Sequence, residues 1–180
     1  MDEQFETSHQ LFHSFCIRPD FSFEIQGKDE EVILVLRQHP IVALNWFFNV
    51  ILFLILLVIV NLVFAGLLNP QQQFFTNFLT VALILSYFWF NLVTYHFNVG
   101  IVTNKRVIDL DFQIFGLREF TIADLGRIED ITTKSAGFFQ SLFNYGDVFI
   151  QTAGTEANVE YHRVPKPTEV TSIINKLIEK

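Results

Sequence analysis

Lys105 and Arg106 stand side by side in the stretch VTNKRVIDLD, residues 102–111. They follow a long uncharged segment, a placement that suits contact with anionic lipid headgroups. Each base close to a membrane surface contributes about 1 kcal/mol. Their other reading is a topology signal and a solvated turn. His9, His13 and Cys16 fall at i, i+4 and i+7, one face of a helix, and donors of this kind could hold a metal. A fourth ligand is not evident, and the neighbouring phenylalanines favour packing. Asp124, Glu129, Asp130 and Asp147 could be grouped as carboxylate pairs, although such charges are common on sheet surfaces. The run Asp29-Glu30-Glu31 reads as a solvated face or a helix start rather than a cation site. No glycine-rich phosphate loop, Gly-x-Ser-x-Gly, metalloprotease or Walker pattern occurs in the chain. These residues therefore point away from an enzyme, and no cofactor or metal is implied.

One further candidate is aromatic. SAGFFQSLFNYGDV, residues 135–148, holds Phe138, Phe139, Phe143 and Tyr145 between two glycines. Part of this cluster is expected in a core. An exposed remainder could grip a membrane or a neighbouring subunit.

The elements that must position these residues divide by charge. Residues 1–37 carry eight acids and three bases, residues 105–180 eleven acids and nine bases, and residues 38–104 none of either. The net charge of −7 does not suit a nucleic-acid binder. The single cysteine, Cys16, cannot form an intramolecular disulfide. A bilayer core about 30 Å thick takes roughly 20 apolar residues as a helix. The uncharged middle supplies two such stretches, expected as helices over about 41–68 and 74–95. NPQQQ, residues 69–73, is expected as the turn between them, with Pro70 stopping the first helix.

Lys28, Arg37, Lys105 and Arg106 flank the outer ends of this hairpin, and the connecting turn has no base. Both termini are therefore expected in the cytoplasm. Trp46, Trp89 and Tyr95 lie near the same ends, where amphipathic rings favour the headgroup region. Asn45, Asn49, Asn61, Asn77 and Asn91 are expected to make interhelical or inter-subunit hydrogen bonds, worth about 1 kcal/mol each. His39 and His96 sit at corresponding ends of the two helices and are expected to hydrogen-bond at an interface.

From Asn98 onward the pattern changes to period two. NVGIVT and RVIDLDF flank Asn104-Lys105, which suits a tight hairpin. LREFTI, RIEDITTKSA, DVFIQTA and NVEYHRV continue as strands. EVTSIINKLIEK follows as an amphipathic helix, with Thr168 as the expected N-cap. Within the second strand, Ile108, Leu110 and Phe112 are expected on one face and Asp109 and Asp111 on the other, and Leu117, Phe120 and Ile122 are core candidates in the third. FSFEIQ, residues 21–26, could add an edge strand. The division is then an N-terminal segment 1–40, a transmembrane hairpin 41–96, and a cytoplasmic β domain 97–180.

Several of these stretches resemble one family. GKDEEVILVLRQHP (27–40) is similar to the "GEEVLLVLRRHP"-like run that precedes two membrane helices in bacterial membrane proteins with a PH-like domain, of the YdbS-like type. VTNKRVIDLD (102–111), RIEDITTKSAGFFQSLFNYGDVFIQTAG (127–154) and RVPKPTEV (163–170) resemble further family segments in the same order, so the resemblance covers about residues 27–180. It implies an α+β membrane protein, with a two-helix transmembrane hairpin followed by a PH-like β-barrel or sandwich capped by a C-terminal helix. It implies no established enzymatic activity. The expected role is a non-catalytic interaction or scaffolding module at the cytoplasmic face of the inner membrane, self-associating as a homo-oligomer or holding another membrane protein. The alternative is a sensor of anionic lipid headgroups through Lys105 and Arg106. Eukaryotic PH domains bind inositol lipids through clustered bases, whereas here Arg118, Arg127 and Lys134 are scattered.

Overall fold

The structure is a computed structural model that describes residues 14–19, 23, 26–112, 118–153 and 158–179. Two compact units result: a helical unit, Ile41–Tyr95, and a β unit built from the chain on either side of it.

The helical unit is a pair of long helices, α1 (Ile41–Val63) and α2, which begins at Pro70 and runs on to Phe97. Proline here starts a helix rather than stopping one. At the first helical position its missing N–H would have had no partner, and its fixed φ already suits the helix. The turn therefore falls over residues 64–69, earlier than expected, where Gly66 takes a left-handed φ of +86° that a side chain would resist. The asparagines stitch the pair together. Asn61 and Asn77 exchange side-chain hydrogen bonds at 3.0 and 2.9 Å, and Gln73 donates a third to Asn61 at 3.0 Å. Asn49 donates to the Tyr87 hydroxyl at 3.2 Å. Asn91 turns back on its own helix and donates to the Tyr87 carbonyl.

The β unit holds two antiparallel sheets. The larger has five strands in sequence order: β1 (Phe15–Ile17), β2 (Val32–Arg37), β3 (Val99–Thr103), β4 (Arg106–Phe112) and β5 (Arg118–Asp124). The smaller has β6 (Ile128–Lys134), β7 (Tyr145–Thr152) and β8 (Val159–Pro165). A five-residue helix, α3 (Phe138–Leu142), lies between β6 and β7, and α4 (Pro167–Ile178) follows β8. Residues 1–40 had been read as a segment of their own, but its described part gives β1 and β2 to the larger sheet. β2 pairs with β3 from Val32↔Thr103 to Arg37↔Val99, although all of α1 and α2 separates them in sequence. The possible edge strand over residues 21–26 falls mostly outside the described residues; the edge strand seen is β1.

One core joins the two sheets and α4. Leu34, Leu36, Val102, Val107 and Ala123 come from the larger sheet, Val148, Ile150, Val159 and Tyr161 from the smaller, and Val170 and Ile174 from the helix. Each fully buried aliphatic side chain contributes about 1.5–3 kcal/mol, so this cluster fixes how the sheets face. Ile108, with Val32 and Ile101, belongs to a smaller cluster on the other face of the larger sheet, which Leu110 and Ile122 flank. The alternation in β4 was thus read correctly, but the main core takes Val107 rather than Ile108. Phe120 is 44% exposed, and Ala123 is the buried residue of β5. Leu117 lies outside the described residues.

The sheets stay separate, so the barrel among the expected forms is not met. Tyr161 bridges them: its buried hydroxyl donates toward the carbonyls of Ile108 (3.1 Å) and Ile101 (3.3 Å). Burial, with Asp109 nearby, pushes this phenol well above its usual pKa and keeps it a donor. Gly100 is needed beneath the ring, because a Cβ there would come within 2.5 Å of Tyr161 Cε1. α4 starts one residue before the expected cap, with Pro167 first and Lys166 at φ +49° as the flanking residue.

Candidate interaction surface

The β2–β3 ladder has two ends. At the end where Val32 meets Thr103, the β3–β4 hairpin is tied to the turn before β2. Asn104 makes three of the ties: its amide donates to the Glu31 carbonyl (3.1 Å), its side chain donates to the Asp29 carbonyl (3.1 Å), and its Oδ1 accepts the Glu31 N–H (3.0 Å). Glu30 makes the rest. Its carboxylate accepts from Arg106 Nε at 2.8 Å and Nη2 at 3.0 Å, from the Thr103 hydroxyl at 2.8 Å, and from the Gly27 N–H at 2.9 Å. Burial alone would raise the carboxyl's pKa. The Arg106, Gly27 and Thr103 hydrogen bonds outweigh it and hold the pKa at about 2, against an ordinary 4.5. The same pairing raises that of Arg106.

Asp29 and Glu31 are exposed, as a solvated acidic run requires, but Glu30 is 5% exposed. That part of the expectation is corrected: a carboxylate with four good donors is stable inside, where an unpaired one is not. The Arg106 guanidinium is thus already bound to an anion of the chain itself, while Lys105 is exposed on the turn.

At the other end, where Arg37 meets Val99, the chain leaves for α1 and returns from α2. His39 is anchored there. Its N–H donates to the Arg163 carbonyl at 2.8 Å, and its ring stacks on Tyr145 with centroids 5.3 Å apart and planes 19° apart. Burial lowers the His39 pKa and favours the neutral ring. Tyr145 opens β7, and α3 comes just before it. Two special backbone positions bracket α3: Gly137 at φ +134° and Asn144 at φ +49°. Such angles cost little for glycine and are tolerated by asparagine, so the excursion has a defined shape. It presents Phe138 at 76%, Phe139 at 64%, Leu142 at 61% and Phe143 at 43% exposure. Of the four aromatics expected as partly core, only Tyr145 is even half-buried apart from its neighbours; the three phenylalanines are outside.

The remaining sequence candidates do not converge. Cys16 lies in strand β1, not on a helix, and His9 and His13 lie outside the described residues. Among the described residues no group of three or more His, Cys, Asp or Glu side chains forms a metal-holding cluster. Glu129, Asp130 and Asp124 are exposed, while Asp147 accepts the Arg163 N–H at 2.7 Å. Within the helical unit, Trp46 packs edge-on against Phe88 at 5.4 Å, Trp89 is exposed and Tyr95 is half-buried. His96 ends α2 with its ring against Phe97 rather than in a pair with His39.

Two features escaped the sequence reading. The Glu30–Arg106 pair spans 76 positions, and no local pattern signals it. Tyr161 looked like any aromatic on a strand, and its bridging hydroxyl depends on the second sheet.

Comparison with known proteins agrees with this architecture. No curated protein matches the chain. A crystal structure of a DUF1696 family protein with a pleckstrin-homology domain, from Shewanella loihica PV-4, is similar at 15% identity over 86% of this chain and 81% of that one, with a TM-score of 0.41. At that score the likeness carries no argument. The family description "Bacterial PH domain" matches residues 40–178, a range that takes in both long helices and most of the β unit. The chain therefore belongs to the bacterial PH domain family.

Proposed function

We propose that this protein is a non-catalytic interaction module, tethered by α1 and α2 to the cytoplasmic face of a bacterial inner membrane, where its β unit holds a protein partner or further copies of itself. One observation carries the reading. Along α1 and α2 most of the large apolar side chains from Leu44 to Leu92 stand exposed, and each helix has one buried residue, Val42 or Ile84. A core helix of a water-soluble protein would be covered. At 23 and 28 residues the helices run to roughly 35 and 42 Å, enough for a hydrocarbon layer of about 30 Å.

The bases at Lys28, Arg37, Lys105 and Arg106 support termini on the cytoplasmic side. A groove of about 370 Å³ between the helices supports self-association: Phe53, Leu57, Val60, Leu83 and Ile84 line it with apolar surface, and Asn77 and Tyr87 add polar points that a neighbouring helix could use.

Lipid sensing through Lys105 and Arg106 is the weaker reading. Glu30 occupies the Arg106 guanidinium, and the pair sits at the Thr103 end of β3, roughly 13 Å along the strand from Val99, where β3 begins. Alkaline extraction of membranes expressing the full chain tests the anchor: the protein should stay in the pellet and release only with detergent. A folded full-length protein in the aqueous fraction ends the proposal. A cysteine placed at Gln72 should react with impermeant reagents from outside the inner membrane, and the mass of the detergent-extracted particle should exceed one chain.

A further inference from the structure

Three large apolar side chains on one five-residue helix, and a fourth on the residue that follows it, are an unusual thing to leave in water. Phe138, Phe139, Leu142 and Phe143 all point outward from α3, while Gln140 is the residue turned inward and half-buried. The rings of Phe138 and Phe139 touch edge to face at 5.7 Å, so they form one surface. What covers it follows from where it sits in the β unit. α3 runs into Tyr145, Tyr145 stacks on His39, and His39 stands two residues before the first residue of α1. Asn98 and Val99, where the chain returns from α2, belong to the same end of the ladder. The patch is therefore held beside the two points at which the chain enters and leaves its long apolar helices.

Charge agrees. From Lys134 to Gly146 the chain has no acidic residue, although the protein as a whole is at −7. Lys134 stands four residues before the first residue of α3, at the end of β6, and Arg163 is exposed beside the His39 contact. Asp147 lies just past this stretch, across the ladder from Lys134, so the margin carries one acid beside its bases, and the apolar patch itself is the part suited to a bilayer surface.

We infer that α3 is a second membrane contact: Phe138, Phe139, Leu142 and Phe143 enter the headgroup–acyl boundary of the leaflet that α1 and α2 cross. The β unit is thereby fixed in one orientation at the surface rather than swinging on its two tethers. The inference rests on the membrane reading above.

The experiment uses the full chain in vesicles of phosphatidylethanolamine and phosphatidylglycerol. In a Cys16→Ser background, single nitroxide labels are placed at Phe139→Cys, at Leu142→Cys, at Gln151→Cys near the far end of β7, and at Leu56→Cys in α1. Collision with oxygen, which concentrates in lipid, is compared with collision with a water-soluble nickel chelate. The label at Leu56 reports the membrane reading itself. If it is open to nickel, the anchor has failed, and the inference falls with it. With Leu56 in lipid, the expected result is an oxygen-to-nickel ratio at 139 and 142 several-fold above that at 151. A ratio at 139 and 142 equal to that at 151 overturns the inference, since the patch is then in water. Labels at 139 and 142 protected from both reagents overturn it too, in favour of a second copy as the covering surface.

Discussion

The two ends of the β2–β3 ladder are built on opposite principles. At the Val32↔Thr103 end a buried carboxylate is paired with a half-buried guanidinium, while Asp29, Glu31 and Lys105 stay in solvent. At the Arg37↔Val99 end apolar rings are turned outward, and the contacts that hold them are one stack and a few backbone hydrogen bonds. The first end is locked by a pair within the chain: the Arg106 guanidinium already has its anion in Glu30. The second is structurally defined but unsatisfied. On the proposal made above, stability and interaction belong to different ends of one small domain.

The sharpest way to break this contrast is at Glu30. Removing one member of a buried, hydrogen-bonded ion pair costs about 3–5 kcal/mol because the other is left without compensation. Glu30→Ala should therefore lower the unfolding midpoint of the detergent-solubilised chain well below that of any single change in α3. Glu30→Leu with Arg106→Met should recover part of the loss, since an apolar pair of similar volume leaves no charge unpaired, while the Gly27 N–H and the Thr103 hydroxyl still lose their acceptor on Glu30. If Glu30→Ala unfolds like the parent, the lock is not what holds this end.

Acid probes the same pair. The Glu30 carboxyl sits at about 2 in the folded protein and near 4.5 otherwise. Its contribution is therefore complete above pH 4.5 and is lost as pH falls toward 2, up to about 3 kcal/mol. Stability measured from pH 6 to pH 2 should show this decline, and Glu30→Gln should flatten it.

At the other end the effects should be smaller. Tyr145→Ala removes the stack on His39 and should cost about 1 kcal/mol beyond the lost area. Its readout includes looser tethering: His39 and Tyr145 amides should exchange hydrogen faster than those of β7. Phe138→Ser with Phe139→Ser should move the unfolding free energy by about 0.5 kcal/mol or less, as surface changes do. A large loss of stability there would mean that the rings are covered within the protein's own fold.

Much of this architecture was open to reading from the chain. Uninterrupted apolar runs of this length admit few interpretations, and the alternation from Val99 to Phe112 located β3 and β4 around Asn104-Lys105. What was not legible depended on partners distant in sequence. An acidic triplet says nothing about which member is buried until a cation 76 positions away folds over it. Alternation showed that Val107 and Ile108 face opposite ways, but not which face meets the second sheet. Pro70 was misplaced because proline ends and begins helices with equal ease, and only its neighbours decide. The helical spacing of His9, His13 and Cys16 misled at Cys16, where a short strand pairs with β2 instead. The aromatic cluster was visible as composition. Its exposure was not, since that required knowing that Gly137 and Asn144 turn α3 away from the sheet.

The pairing of β2 with β3 has a consequence for biogenesis. During synthesis β2 is made well before its partner, and it stays an incomplete edge until the ribosome has finished two further helices. If those helices thread a bilayer, the ladder can zip only when both have crossed and the chain has come back to the starting compartment. A nascent chain that inserted one helix and stopped would leave the two strands in different compartments, with no route to each other. On the membrane proposal, closure of the sheet would then double as a check on insertion.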